Sequence, residues 1–546
     1  MNSHAHSRLI KTSMIAVLLL LAVSLYAADR KPAVEADFEK LRTVIIMSVD
    51  DSIYKSSEMG SSIHPIFNKG LAPGAIAEHR ALVRLLQKAG VKVLQVRDLV
   101  QDAIDNARRL GELEAWIRET YPEQADRILP GLDRVDADTV LQRTDDLFYR
   151  KNGKGELDPL FLPLSSMYWS RDFAISTPKG IIIGNGQNFG RTLENALARL
   201  MFTYAKALRD FPIVFDAAKE GVILDGGDVI VRDENTLFLG VGQRTDRQAA
   251  PLLAKKLGMD VIAVSMPPRD KPNGMSRQLL HLDSIFNFVA KDKVLAVPYF
   301  LEKAYLETNP MMKILAGLAA ETDAIKARMP SDTSAGDSKQ LRVTIDVMPG
   351  VGWLTRYEAG TAKETPLEMK LVDYARSQNW TVVYVGGDRQ GMGEEKWTLE
   401  RAMYELRWQG TNVAQLGPGR VIAYAHNVHT NEALRRAGVQ VQAFPGEILA
   451  IRNGGPHCLI LPLVRQKRRD VHVLAVELLV LVLERVEALG LHLHRAEFRQ
   501  NALMLGHPGG NLLRAGGIHA RVPEVGAQAH HQGRQHQFLV SRILKV

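Results

Sequence analysis

Ala81-Leu82-Val83-Arg84-Leu85-Leu86-Gln87-Lys88-Ala89-Gly90-Val91-Lys92-Val93-Leu94-Gln95-Val96 decides the fold class. Leu82, Leu85, Leu86 and Ala89 recur at the spacing of one helical face, and the run from Val91 alternates as a strand does. Gly90 stands between the two because glycine reaches positive φ without a Cβ penalty and so ends a helix cleanly. The same order returns in Ala249–Leu257, Gly258, Met259–Val264 and in Glu432–Ala437, Gly438, Val439–Phe444. Leu371–Gln378, Asn379, Trp380–Val385 is a fourth copy, and Leu193–Arg209 followed by Phe211–Phe215 a weaker fifth. A recurring αβ unit predicts one large α/β domain.

Between these units the sequence predicts hairpin-like pairs: Gly221–Leu224 with Val229–Val231 and Thr236–Val241, then Ser284–Val289 with Lys293–Val297. Leu99–Phe148 is rich in Leu, Ala, Glu, Arg and Asp at helical spacing, with Asp136 and Asp138 as caps, and reads as a helical insertion over about residues 99–150. Residues 329–337 form a Pro/Ser/Gly loop before a strand Leu341–Val347.

The ends differ from this body. Arg8 and Lys11, the apolar run Met14–Leu25 and the small pair Ala27-Ala28 have the three parts of an export signal over residues 1–28. A periplasmic or secreted protein is expected, with membrane attachment only if that segment stays uncleaved. From Gln466 to Val546 the chain holds eight of its sixteen histidines and no further αβ unit. This stretch reads as an atypical tail, disordered or translated out of frame. It carries eleven Lys or Arg against six Asp or Glu, so much of the net charge of +8 sits there and the body is nearly neutral. No nucleic-acid partner is expected from such a distribution. The one cysteine, Cys458, excludes an intramolecular disulfide and calls for a chemical explanation.

Four segments combine rare residue types with glycines: Tyr168-Trp169-Ser170-Arg171-Asp172, Leu224-Asp225-Gly226-Gly227-Asp228, His281-Leu282-Asp283 and Asn453-Gly454-Gly455-Pro456-His457-Cys458. Carboxylates that face one another can hold a planar cation in bidentate fashion, and a thiolate is a strong nucleophile. Each segment alone says little. In order and wording, however, they resemble the Thr-Arg-Asp, Glu-Gly-Gly-Asp, His-Leu-Asp and Gly-Gly-Pro-Arg-Cys motifs of the arginine deiminase family, within the guanidine-modifying, amidinotransferase superfamily. Gly184-Asn185-Gly186, Arg244-Thr245, Pro418-Gly419, Asn427 and Thr430-Asn431 extend the similarity across residues 41–465.

The resemblance implies a pseudo-fivefold α/β propeller, the pentein fold, carrying the helical insertion. It also implies hydrolysis of L-arginine to citrulline and ammonia with no metal and no organic cofactor. In that reading Cys458 is the nucleophile, His281 acts as acid and then base, Asp172 and Asp283 grip the guanidinium, and Asp225 supports His281. Arg244 binds the substrate carboxylate, and Asp228 and Asn453 complete the binding residues. Other guanidines such as agmatine or a methylated arginine, amidino transfer, or guanidinium binding without catalysis stay open as alternatives. The sequence departs from the family pattern at Asp225, which stands for Glu, and at Asn453 and His457, which each stand for Arg. Arg191 and Arg199 are both candidates for a second substrate-binding arginine.

Overall fold

Gly90, Gly258 and Gly438 adopt φ of 78°, 62° and 80°, and Asn379 takes the same left-handed conformation at 57°. Each follows a helix, Ala72–Lys88, Ala249–Leu257, Val428–Arg436 and Leu371–Ser377 in turn, and leads into a strand, Lys92–Gln95, Asp260–Ser265, Gln440–Phe444 and Thr381–Tyr384. The fifth helix, Arg191–Tyr204, reaches its strand Ile213–Asp216 through a short 3-10 turn at Lys206–Leu208. A computed structural model describes residues 34–48, 71–142, 149–151, 157–159, 167–186, 191–271, 278–303, 317, 347–387, 395–451 and 453–466. The chain divides into a unit of residues 27–468 and a unit of residues 1–26 with 469–546, and every described residue belongs to the first. The export segment, the tail beyond Gln466, the 329–337 loop and residues 341–346 of the predicted strand Leu341–Val347 lie outside the described residues.

Each of the five strands runs parallel to a partner whose other neighbour is antiparallel. The reason is connectivity, since a tight turn joins only antiparallel strands and a parallel partner needs the helix as a crossover. In order across each sheet, the second is Ala174–Thr177, Gly180–Ile183, Ile213–Asp216 and the fourth Phe286–Ala290, Lys293–Ala296, Thr381–Tyr384. The fifth is Ala414–Gly417, Arg420–Tyr424, Gln440–Phe444. In the third, Val229–Val231, Thr236–Val241 and Asp260–Ser265 are extended by Trp353–Tyr357 and Glu364–Lys370, two antiparallel strands the sequence reading did not anticipate. The first is closed by distant parts of the chain, because Leu461–Gln466 pairs antiparallel with Lys40–Ile46, which pairs parallel with Lys92–Gln95. Val44-Ile45-Ile46 and Ile181-Ile182-Ile183 are buried without alternation, as strands covered on both faces must be.

Gly221–Leu224, expected as a strand, forms only a single bridge from Leu224 to Asn185. The predicted insertion is helical over Val96–Leu110, Leu113–Thr120, Ala125–Ile128 and Ala137–Gln142, with a 3-10 turn at Leu129–Arg134. Asp136 caps the last of these helices by accepting from Thr139 N at 2.8 Å.

Buried polar side chains tie the sheets to one another. Ser176 Oγ donates to Leu463 O at 3.0 Å, and Gln415 Nε2 donates to Asn287 Oδ1 at 2.6 Å and Phe288 O at 2.7 Å. Arg171 makes a bidentate pair with Asp37 at 3.2 and 2.9 Å, and both side chains are essentially inaccessible. Removing one partner of a buried pair strands the other charge, at a cost of about 3–5 kcal/mol. Arg171→Met is therefore expected to lose about that much unfolding free energy in a urea titration. A variant as stable as the parent would show that the pair contributes nothing.

Candidate active site

The turn Gly226–Asp228 is a 3-10 turn wedged between two other segments. A Cβ on Gly227 would lie 2.5 Å from His281 Nδ1, and one on Gly226 would lie 2.0 Å from Arg171 O. Neither glycine has a left-handed φ, so close approach rather than backbone freedom demands them. That approach brings Asp225 to His281, whose Nε2 is 3.1 Å from Asp225 Oδ2 while its Nδ1 is 3.8 Å from Asp172 Oδ1. The aspartate thus reaches the imidazole even though it is one methylene shorter than the glutamate of the family pattern. Asp172 is held in turn by Gly227 N at 3.1 Å.

Cys458 sits at the start of the last strand's approach, with Gly455 packed so closely on Asn412 that a Cβ would meet its Cβ and carbonyl oxygen at 2.6 Å. Asn412 consequently touches the nucleophile twice. Its Nδ2 donates to Cys458 Sγ at 3.1 Å, and its Oδ1 accepts from Cys458 N at 3.1 Å. The thiol lies 3.5 Å from Asp283 Oδ2, the oxygen that also meets His457 Nδ1 at 2.8 Å. Asp283 Oδ1 is buried without a hydrogen-bond partner among the described residues. No signal in the sequence pointed to Asn412, because its partner Cys458 is 46 residues away.

Of the two arginine candidates, Arg191 enters the site and Arg199 does not. Arg191 Nη2 donates to Asp172 Oδ2 at 2.7 Å, with Glu194 3.3 Å from Nη1, whereas Arg199 binds Asp216 at 2.6 and 3.0 Å. Arg244 lies 3.8 Å from Asp225 and is mostly buried. Asp228 turns both oxygens into the protein, accepting from Thr245 Oγ1 at 2.7 Å and Leu282 N at 2.9 Å. It therefore anchors both the loop that carries Arg244 and the turn that carries His281. Asn453, at a left-handed φ of 63°, accepts from Arg407 Nη1 at 2.6 Å.

The electrostatics follow from this crowding of acids. Burial opposes a charge on His281, but Asp172, the hydrogen bond to Asp225 and Asp228 outweigh it and raise the imidazole to about 9. Burial pushes Asp228 up to about 7. Burial also works on Asp225 and Asp283, yet His281 and Arg191 hold the first below the usual carboxylate range, and His457 with His281 and Arg171 does the same for the second. Burial, Asp283 and Asp172 together push the Cys458 thiol well above its ordinary value. Apart from the neutral amide of Asn412 at 3.1 Å, the sulfur's close polar neighbour is a carboxylate, Asp283 Oδ2 at 3.5 Å. Among the described residues no cluster of three or more His, Cys, Asp or Glu side chains is arranged to hold a metal ion.

Comparison with known proteins places the chain among relatives. The arginine deiminase family model matches residues 70–465. Arginine deiminase of Metamycoplasma arthritidis is 26% identical over 408 residues, 71% of this chain and 86% of that one. The arginine deiminase of Clostridium perfringens is 23% identical over 416 residues, 71% of this chain and 87% of its own. Among solved structures, an amidinotransferase of the saxitoxin biosynthetic pathway from Microseira wollei is 13% identical, with 81% of this chain and 99% of that one covered at a TM-score of 0.41. A dimethylarginine dimethylaminohydrolase is 12% identical, with 77% and 99% covered at a TM-score of 0.39.

The charged His281 yields a pH prediction. Its folded value of about 9 lies above the ordinary 6.5, so its contribution to stability is fully present below 6.5 and is lost as pH rises through 9. The difference in unfolding free energy between the parent and His281→Gln is expected to shrink by a few kcal/mol from pH 6 to pH 10. Denaturant melts at several pH values measure it, and a pH-independent difference would mean that the ring is uncharged in the folded protein.

Proposed function

Because the chain belongs to the arginine deiminase family, we propose that it hydrolyses the guanidinium group of L-arginine to citrulline and ammonia through a covalent intermediate on Cys458. The observation that carries this reading is a thiol 3.5 Å from Asp283 in the same acid-lined site that holds a charged His281 between Asp172 and Asp225. Such a site is incomplete without a cation. The bare Asp283 Oδ1 and the carboxylate of Asp172 suit a planar guanidinium, which would displace Arg191 from Asp172. Its positive charge offsets the acids that keep the thiol protonated and so favours the thiolate.

The steps then follow in order. Cys458 Sγ releases its proton to solvent, where it ends on the departing ammonia as ammonium, and the thiolate bonds to the substrate Cζ. His281 donates its proton to the departing nitrogen, the Cζ–N bond breaks, ammonia leaves, and a thiouronium remains on sulfur. Neutral His281 next takes a proton from water, whose oxygen attacks Cζ. Collapse expels the sulfur and releases the ureido product. Asp225, 3.1 Å from His281 Nε2, orients the ring through both half-reactions.

Further parts of the reading rest on sequence together with architecture. Five three-strand cores of the same antiparallel-then-parallel order support a pseudo-fivefold α/β propeller, the pentein fold, spanning about residues 41–465 with a helical insertion near 99–150. Arg8, Lys11 and the apolar run Met14–Leu25 support export to the periplasm. The tail from 466 is proposed to be dispensable, and a chain ending at Arg468 is expected to keep its melting temperature and turnover. Loss of either would assign the tail a structural role.

Cys458→Ala should reduce turnover by at least three orders of magnitude while L-arginine binding persists in titration calorimetry. More than a tenth of the parent kcat would exclude the covalent route. Arg244 offers a planar fork for the substrate carboxylate, whereas Asn453 replaces a second arginine with a neutral amide. A lost charged hydrogen bond is worth about 1.5–3 kcal/mol. L-arginine is therefore expected to show a high KM, agmatine a higher one, and Asn453→Arg a lowered KM for arginine. Steady-state assays of ammonia and ureido product on a panel of guanidines decide this, and a preference for agmatine would favour a substrate without the carboxylate.

A further inference from the structure

His457 precedes the nucleophile in sequence and is fully inaccessible, yet the chemistry above assigns it no role. Its Nδ1 lies 2.8 Å from Asp283 Oδ2. Asp283 is held below the usual carboxylate range by its neighbours, against the effect of burial, and so is ionised. An ionised carboxylate only accepts, which makes the imidazole the donor and places its proton on Nδ1. The other nitrogen, Nε2, is buried with no hydrogen-bond partner among the described residues. A neutral ring tolerates that arrangement, because a bare lone pair costs less than a stranded charged N–H. Burial and the nearby Arg171 both favour the neutral form.

The two oxygens of Asp283 are thereby divided. Oδ2 receives the His457 proton and stands 3.5 Å from Cys458 Sγ, while Oδ1 is buried and unpartnered. The backbone fixes the donor rigidly, because His457 N donates to Asn412 O at 3.2 Å and Cys458 N donates to Asn412 Oδ1 at 3.1 Å. One asparagine therefore registers both the nucleophile and the residue that aims the acid.

We propose that His457 is a positioning residue for substrate recognition: its Nδ1–H holds Asp283 with Oδ2 against the thiol and leaves Oδ1 for the substrate guanidinium. This rests on the reading of Asp283 as a guanidinium-binding acid. Where the family pattern has a long, flexible arginine, the histidine offers a single short donor at a set position.

The test uses side-chain geometry. An asparagine amide sits where the imidazole carries Nδ1, and a glutamine amide reaches where it carries Nε2. In the full-length Cys458→Ala protein, which cannot turn over, L-arginine affinity is measured by titration calorimetry with His457→Asn, His457→Gln and His457→Phe added in turn. His457→Asn is expected to keep Kd within about threefold, and the Gln and Phe variants to weaken it by about 10- to 100-fold, the effect of a charged hydrogen bond lost. With Cys458 present, the same order is expected in KM for L-arginine, and melting temperatures for Asn and Gln are expected to be alike. Equal affinity for the Asn and Gln variants would overturn the proposal, as would a folded Phe variant that binds like its parent. If the Phe variant does not fold, the Asn and Gln pair decides alone. Failure of the Cys458→Ala parent itself to bind L-arginine would instead overturn the guanidinium reading on which the proposal stands.

Discussion

Asp37 is the carboxylate on which the rest of the structure hangs. Arg171 binds it through two hydrogen bonds at 3.2 and 2.9 Å, and Arg465 lies 4.0 Å away, all three beyond the reach of solvent. Two guanidinium groups around one acid in a dry interior are costly to desolvate. The arrangement is compensated by the carbonyls that the two arginines satisfy, Val229 O from Arg171 and Glu39 O and Gln415 O from Arg465. Those carbonyls belong to segments of three different sheets or their approaches. Asp37 itself exchanges hydrogen bonds with Val231 through its backbone N and its Oδ2, both at 2.8 Å. A polar knot of this kind sets register where apolar packing alone tolerates sliding.

The candidate site residues are tied to the same knot. Arg171 N donates to Cys458 O at 3.1 Å, and the next residue in the chain is Asp172. The side chain that pins the sheets and the one that faces the site thus leave adjacent backbone positions on opposite sides. Gly226 N donates to Asp172 O at 3.1 Å, which draws the Asp225 turn onto the same spot. Precision in the site is a consequence of rigidity beneath it.

Electrostatically the site is prepared for a cation. Asp172, Asp225, Asp228 and Asp283 are all buried, and they are only partly offset by a charged His281 together with Arg191 and Arg244. Burial together with Asp283 and Asp172, two of the acids proposed to bind a guanidinium, favours the protonated form of the thiol. On the proposed mechanism, reactivity would arrive with the ligand's charge, leaving the thiol protonated between turnovers.

The sequence by itself determined the helix–glycine–strand units, because φ preferences at Gly90, Gly258, Gly438 and Asn379 and the period of the neighbouring apolar residues are properties of single short segments. It also singled out Cys458, His281, Asp172, Asp225 and Asp283 as candidates, since rare residue types in a fixed order leave a pattern that folding does not alter. Only the tertiary structure decided what those residues do to one another. Asn412 reaches Cys458 across 46 positions and Asp283 reaches it across 175, and no local period encodes such a meeting. Arg171 turns to Asp37 and Arg191 to Asp172, pairings that neither position in the sequence states. The direction in which each group titrates was likewise invisible along the chain, because burial and the distance to neighbouring charges exist only once the sheets have closed around them.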